Sequence, residues 1–189
     1  MKIRCSWVPT GDELYAAYHD EEWGVPTHDD RQLCELLILE GAQAGLSWRT
    51  VLGRRAGYRR AFDDFDVQKI SKYNETKVAQ LLTDTGIIRN KLKIRSAIQN
   101  ARVFVEIQKE YGSFAVYLWS WVDNKPIVHN WKKLAEVPAT SELSERISAD
   151  LKKRGMSFVG STIIYAYLQS SGLINDHTQD CFRYEICKK

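Results

Sequence analysis

The sequence predicts an all-α protein. Three patterns carry that expectation: apolar residues recur at i, i+3, i+4 in segment after segment, capping side chains stand ahead of those segments, and one segment runs acid-first and base-last.

Each element follows from local residues. Asp29-Asp30, after Pro26, can cap a helix whose Leu33, Leu36 and Leu37 share one face. Gly41 and Gly45 loosen it before a second helical stretch over about 47–62. Asn74 opens a third, with Val78, Leu81 and Leu82 on one face and Gly86 as its stop. Ile94, Ile98, Ala101 and Val105 repeat at helical spacing through a long segment ending at Gly112. Trp119 and Trp121, in the apolar run that follows, read as core. Thr140-Ser141 begins a helix with Glu142 and Glu145 first, Leu143, Ile147 and Leu151 inward, and Lys152, Lys153 and Arg154 last before Gly155. Ser161 to Ser170 reads as a buried helix, although Ile163-Ile164-Tyr165 fits a strand equally well.

The 189 residues can bury a substantial core without help from a metal. Hydrophobic residues at 44% and charged residues at 27% are ordinary globular usage, which sets disorder aside. No repeat or Pro/Gly/Ser linker divides the chain, so one domain or two small lobes are expected. The 27 Lys+Arg against 24 Asp+Glu leave +3, too small a bias to argue for a polyanion unless the charge is clustered. The start lacks the apolar run of a signal peptide and no segment is long enough to span a bilayer, so a cytoplasmic protein with no membrane partner is expected. In that compartment the four cysteines are thiols or metal ligands rather than disulfides. Cys34, Cys187, His28 and His129 have no evident partners and are assigned nothing. Hydrolase-triad, NTPase and dehydrogenase readings have no local motif to rest on.

Four features carry chemistry. Cys5-x13-His19 near the start and His177-x3-Cys181 near the end make a Cys2His2 set, which zinc would hold as a closed, structural tetrahedron. The halves lie too far apart for a local zinc finger, and two buried thiols with two ordinary histidines is the plainer reading. Secondly, the stripe through Leu33, Leu36 and Leu37 next lands on Glu40, where the pattern asks for an apolar residue. A carboxylate removed from water needs a cation or several donors; a helix-end Glu reaching solvent, or an ion pair with Arg49, would satisfy it without any function. Thirdly, Trp7, Tyr15, Tyr18, Trp23 and Trp48 crowd this region, and flat rings beside an acid can hold a flat ligand, though core packing is the commoner fate of any one ring. Lastly, the helix ending at Leu82, the turn containing Gly86, Ile87 and Ile88, and the helix that follows form a helix-hairpin-helix candidate. Its turn amides can hold a phosphate. Arg89, Lys91, Lys93, Arg95 and Arg102 follow with no acid between Asp84 and Glu106, but Arg89-Asn90 stand where a second glycine is expected.

Six stretches together carry a resemblance: Cys5-Ser6-Trp7, Tyr18 to Pro26, Leu39 to Trp48, Gly86 to Asn90, Lys153 to Gly160 and Gly172 to His177. In order and over nearly the whole chain, they resemble the bacterial DNA-3-methyladenine glycosylase I family. That resemblance implies the helix-hairpin-helix glycosylase fold: a single domain over 1–189, with a central lobe at about 60–140 and a second lobe built from both termini and stapled by zinc. It implies Cys5, His19, His177 and Cys181 as zinc ligands, and Glu40, Tyr18 and Trp48 as readers of the base, with Trp7, Tyr15 and Trp23 as pocket walls. Gly45-Leu46 would fill the gap left by an extruded nucleotide, and Gly86, Ile87, Ile88, Arg89, Lys91 and Lys93 would meet DNA. The implied activity is hydrolysis of the N-glycosidic bond of 3-methyladenine in double-stranded DNA, giving the free base and an abasic site. A monomer at the bacterial nucleoid, without lyase activity, is expected.

Alkylation at N3 makes adenine cationic, so a desolvated Glu40 gains a partner that normal adenine does not offer. Whether Glu40 serves catalysis beyond recognition stays open at this level. A non-catalytic binder of alkylated or abasic DNA, and a structural zinc protein with an aromatic core, remain the competing readings.

Overall fold

A computed structural model describes residues 2–188. Ten α-helices account for the described residues' regular structure almost entirely: α1 (Glu13–Glu21), α2 (Asp30–Gln43), α3 (Trp48–Leu52), α4 (Arg55–Ala61), α5 (Val67–Ile70), α6 (Glu75–Thr83), α7 (Lys91–Tyr111), α8 (Phe114–Ser120), α9 (Glu142–Lys153) and α10 (Ser161–Ser170). Two two-residue strands, β1 (Ile127–Val128) and β2 (Ile174–Asn175), pair in parallel, with Ile127 opposite Ile174 and Val128 opposite Asn175.

Capping chemistry sets the starts of the predicted helices. Asp29 accepts from Gln32 N at 2.7 Å to open α2, Asn74 from Lys77 N at 3.0 Å to open α6, and Ser141 from Ser144 N at 3.2 Å to open α9. Asn90 accepts from Lys93 N at 3.1 Å, so the residue standing where a second glycine was expected is the N-cap of α7. The α1 helix went unpredicted because its apolar stripe is weak, yet Asp12 caps it through Tyr15 N.

Two expectations need correction. Gly41 does not loosen α2 but lies inside it, in contact with Phe158; the chain turns instead at Gly45, whose φ is +75°. The stretch over 47–62 is two helices, α3 and α4, parted at Gly53-Arg54. Ser161 to Ser170 is the expected buried helix, α10, with Ile163-Ile164-Tyr165 inside it, and among the described residues the small β1–β2 pair is the one departure from helix and turn.

Buried continuously from Leu33 to Ala42, α2 is the centre of the molecule, and α3, α7, α8 and α10 pack around it. Its Asp30 carboxylate caps α8 by accepting from Phe114 N at 2.9 Å and Ala115 N at 2.8 Å. Trp119 is core as expected, and Trp121 packs half-buried against it. The turn between α6 and α7 rests on α4 at a very close approach. A Cβ on Gly57 would lie 2.1 Å from the Gly86 carbonyl oxygen.

A second, smaller apolar cluster gathers Cys5, Tyr18, Trp23, Leu52 and Cys181, with Trp7, Tyr15 and Trp48 packed on it. Both chain ends meet there.

Candidate active site and metal centre

The four soft ligands separated by most of the chain are one buried cluster. Potential ligand atoms of Cys5, His19, His177 and Cys181 all lie within 4.8 Å of one another. Cys5 Sγ and Cys181 Sγ are each 3.5 Å from His177 Nδ1, and Cys181 Sγ is 3.4 Å from His19 Nε2. A regular tetrahedron with zinc-like bonds to sulfur and nitrogen has S–N edges of roughly 3.5 Å, so the spacing fits a metal ion. The outer imidazole nitrogens are also placed as ligation requires: His19 Nδ1 lies 2.9 Å from Asp20 Oδ1, and His177 Nε2 lies 3.0 Å from the Trp23 carbonyl. Asp20 is in turn held by Arg4 at 2.8 and 2.7 Å. Hydrogen bonding from Cys5 and from both imidazoles holds the Cys181 thiol low, while its hydrogen bond to Cys181 and burial push Cys5 up.

Beside this cluster opens a cavity of about 530 Å³. The five aromatic residues expected beside Glu40 all line it: Trp7, Tyr15, Tyr18, Trp23 and Trp48. Trp7 is the hub, its ring 5.7 Å from Tyr15, 6.4 Å from Tyr18 and 5.0 Å from Trp23, while Tyr18 meets Trp48 at 5.4 Å. The indole N–H groups of Trp7 and Trp48 are buried with no hydrogen-bond partner, an uncommon expense in a folded core. Trp23 joins the two sites: its ring lines the cavity, and lies 4.6 Å from the His177 ring.

Glu40 also lines the cavity, 4% exposed. The ion pair with Arg49 is not formed; Arg49 instead meets Asp12 at 2.5 Å. Burial pushes the Glu40 carboxyl up to about 8, with only the Ser170 hydroxyl acting against it. Tyr18, fully buried, is raised well above its ordinary range by burial and then by the Glu40 charge. A contrast on the same helix shows how unusual Glu40 is. Glu35 is also buried, but Arg55 at 2.7 Å and Arg59 at 2.8 Å overcome burial and hold its carboxyl below the usual range. One glutamate of α2 is structural, and the other faces open space without a cation.

The opposite wall was missed in the sequence. Thr162, Tyr165, Ala166 and Gln169 of α10, Asp176 after β2, and Leu134, Val137, Pro138 and Ala139 between β1 and α9 complete the lining. His129, assigned no partner, pairs with Asp176 at 2.6 Å; His28 stacks on Trp119 at 4.4 Å between ring centroids. Asp176 directly precedes the ligand His177, and that adjacency was the one available clue.

The residues expected to meet DNA divide into two groups. Gly45 and Leu46 are exposed at the turn after α2, pinned by Gln43 Nε2 to the Leu46 carbonyl at 2.9 Å. A groove of about 510 Å³ separates Leu46, Thr50 and Arg54 from Leu82, Thr85, Ile87, Ile88 and Arg89. Arg89 and Lys91 are exposed, and no ion pair engages them among the described residues. Others are engaged within the protein. Lys93 donates to the carbonyls of Ala42 and Ala44 at 2.7 and 2.6 Å, closing the end of α2; Arg95 pairs with Glu75, and Arg102 donates to Ser71 O. The Gly86 amide is taken by Asp84 at 2.7 Å and that of Ile88 by the Tyr58 hydroxyl at 3.3 Å.

A cavity of this volume, walled by rings and holding one unpaired acid, suits a flat heterocycle with a polar or cationic edge. Beside a groove with unengaged cations, it defines a helical protein of the base-recognising class. Comparison with known proteins narrows that class: the methyladenine glycosylase family model matches residues 7–184, and the chain belongs to that family. It is 45% identical to DNA-3-methyladenine glycosylase 1 of Escherichia coli (strain K12), with 96% of each chain covered. Among solved structures it resembles a crystal structure of 3-methyladenine DNA glycosylase I at a TM-score of 0.92 and 47% identity, covering 95% of this chain and 98% of the other. A Tyr-to-Phe variant of another 3-methyladenine DNA glycosylase I, in complex with 3-methyladenine, superposes at a TM-score of 0.93 and 31% identity, with 96% and 97% covered.

Proposed function

We propose that the protein is a monofunctional DNA glycosylase that hydrolyses the N-glycosidic bond of 3-methyladenine in alkylated double-stranded DNA. The observation that carries the reading is Glu40, buried without a counter-cation in an aromatic cavity. An acid in that position is poorly solvated until a cation enters. The N3-methylated nucleotide brings one, and Tyr18 and Trp48 add ring faces that favour a cationic base over a neutral one.

The chemistry follows from the lesion's charge. Extrusion of the nucleotide costs a few kcal/mol, least for a damaged base. The C1′–N9 electron pair leaves with the base, which departs neutral, and water adds to C1′ and gives up a proton to leave an abasic site. Glu40 gives up its proton to solvent as the cation enters, and the resulting carboxylate binds the cation and supports the sugar cation as the bond breaks. Little acid catalysis is needed. The basic segment following Gly86 offers no Asp of the kind other glycosylases of the wider superfamily place after the hairpin, so strand cleavage is not expected.

DNA lies across the groove between the Leu46 turn and the helix-hairpin-helix formed by α6, the turn through Gly86 and α7, with a central lobe at about 60–140 set against the lobe of the two termini. Arg89 and Lys91 meet phosphates, along with the amides of Ile87 and Arg89, which no bond within the described residues takes up. Gly45 and Leu46 enter the stack, and Lys93 acts by holding their turn rather than by touching DNA. Zinc is the ion that fits the Cys2His2 cluster; bound, it closes the termini and takes no part in hydrolysis. The same reading makes the protein a monomer of the bacterial cytoplasm, recruited to the nucleoid by DNA. Among the described residues no helix is long and apolar enough to cross a membrane.

Incubating the protein with methylated duplex and identifying the freed bases tests the reading. Release of 3-methyladenine above a heat-only control supports it. Lesion binding without release would make the protein a damage sensor instead.

A further inference from the structure

We propose that Gln169 is a further base-reading residue, its amide oxygen accepting one hydrogen of the adenine 6-amino group, and that Asp176 is the positioning residue that fixes that amide's orientation. The proposal rests on the glycosylase reading above and deepens it by naming what in the pocket tells adenine from guanine.

The orientation is forced by chemistry. Gln169 lines the cavity and its side-chain nitrogen lies 2.7 Å from Asp176 Oδ2. An ionised carboxylate only accepts, so the amide must present its N–H₂ to Asp176 and keep its oxygen for the other side. That oxygen has no partner among the described residues, and it is not among the buried, unsatisfied atoms, so it is open to solvent or ligand. Asp176 itself is immobile, 2% exposed and fully subscribed. Oδ1 takes His129 Nδ1 at 2.6 Å and Trp131 Nε1 at 2.7 Å; Oδ2 takes the Tyr165 hydroxyl at 2.6 Å as well as Gln169. With two donors on each oxygen, Asp176 has nothing to donate to the Gln169 oxygen and can only accept from the amide N–H₂.

Position follows from the helices. Gln169 on α10 and Glu40 on α2 line one cavity from packed neighbours, and the hydroxyl acting on Glu40 belongs to Ser170, the next residue along α10. The acceptor with a fixed orientation is the Gln169 oxygen. The 6-amino group can give it a hydrogen, whereas guanine carries a carbonyl oxygen at that position and would meet this acceptor with no hydrogen to give.

The test is equilibrium binding of free 3-methyladenine and free 3-methylguanine, followed by tryptophan fluorescence, together with base release from methylated duplex. Native protein is expected to prefer 3-methyladenine. Gln169→Leu keeps the volume but removes the acceptor; it should weaken 3-methyladenine binding about tenfold and leave 3-methylguanine unchanged, collapsing the ratio. Asp176→Asn supplies an amide that lets Gln169 turn over, so it should also lower the ratio although Gln169 is present, while Gln169→Glu, which keeps an acceptor, should retain more of it. A Gln169→Leu variant that keeps the native ratio, or weakens both bases equally, overturns the proposal. A native protein that releases no 3-methyladenine overturns the glycosylase reading instead, and that failure is seen before any variant is compared.

Discussion

At the scale of the single residue, Glu40 was legible because it breaks a pattern: a carboxylate on a stripe of Leu33, Leu36 and Leu37 is an anomaly that needs no structure to notice. The sequence could not tell that Glu35, off that stripe, is buried as well, since its burial depends on Arg55 and Arg59 arriving from another helix. Nor could it reveal Gln169 and Asp176, whose roles come from a network spanning α10, β2 and the segment after β1. The unpaired acid has a thermodynamic signature. Folded Glu40 keeps its proton up to about pH 8, whereas the unfolded residue loses it near 4.5. Between those values the native state holds more protons, so stability falls as pH rises through the window. Glu40→Gln removes this cost. Its melting temperature should match the native protein's near pH 4.5 and exceed it increasingly towards pH 8, with a difference of roughly 5 kcal/mol at most. Parallel pH–melting curves for the two proteins would contradict the unpaired state of Glu40. The same variant should lose most base release, and full activity would remove Glu40 from the mechanism. A more stable protein that has lost its activity is the result expected of an acid held in place for a ligand.

At the scale of elements, caps made most helices readable, because Asp29, Asn74 and Ser141 act within one turn of themselves. Long-range packing decided what caps could not: whether Gly41 interrupts α2, and where the stretch over 47–62 divides. The hairpin turn is a similar case. Gly57 looks like an ordinary helical glycine in the sequence, yet Gly86 rests directly on it. Gly57→Ala puts a methyl where the Gly86 carbonyl lies, so the turn must shift, at a cost of about 1–3 kcal/mol. The expected outcome is a drop of several degrees in melting temperature and weaker DNA binding, with binding of free 3-methyladenine retained because the cavity is built by other elements. Unchanged DNA affinity would detach the turn from the DNA surface. Charge on the same surface can be separated from shape. Arg89→Ala and Lys91→Ala should each lower the slope of log affinity against log salt by about 1, while Lys93→Ala should leave the slope unchanged, its ammonium being engaged by Ala42 and Ala44.

At the scale of the whole molecule, the two ends of the chain are the parts most dependent on each other. Cys5 and His19 reach the cluster from the first elements, His177 and Cys181 from the last, and a chain of this length already has its main core in α2, α7, α8 and α10. A metal ion bound by the cluster would therefore not be required for the bulk of the fold. What it would hold is the small second cluster, which contains Tyr18 and Trp23 and carries Trp7, Tyr15 and Trp48 on its surface. Losing the ion would leave two thiols and two imidazoles crowded in a buried space, with Gly24 packed so tightly on His177 that a Cβ there would lie 2.9 Å from Nε2. Elemental analysis should find one zinc per chain, and Cys181→Ser or a strong chelator should remove it. The expected consequence is local: faster amide exchange over residues 5–23 and 177–187, retained protection in α7 and α10, a lower melting temperature, and loss of affinity for 3-methyladenine because the ring wall has come apart. Base release should fall in proportion to that binding. Should chelation abolish release while base binding, DNA binding and the melting temperature all stay as they were, the ion would belong to the chemistry rather than to the wall.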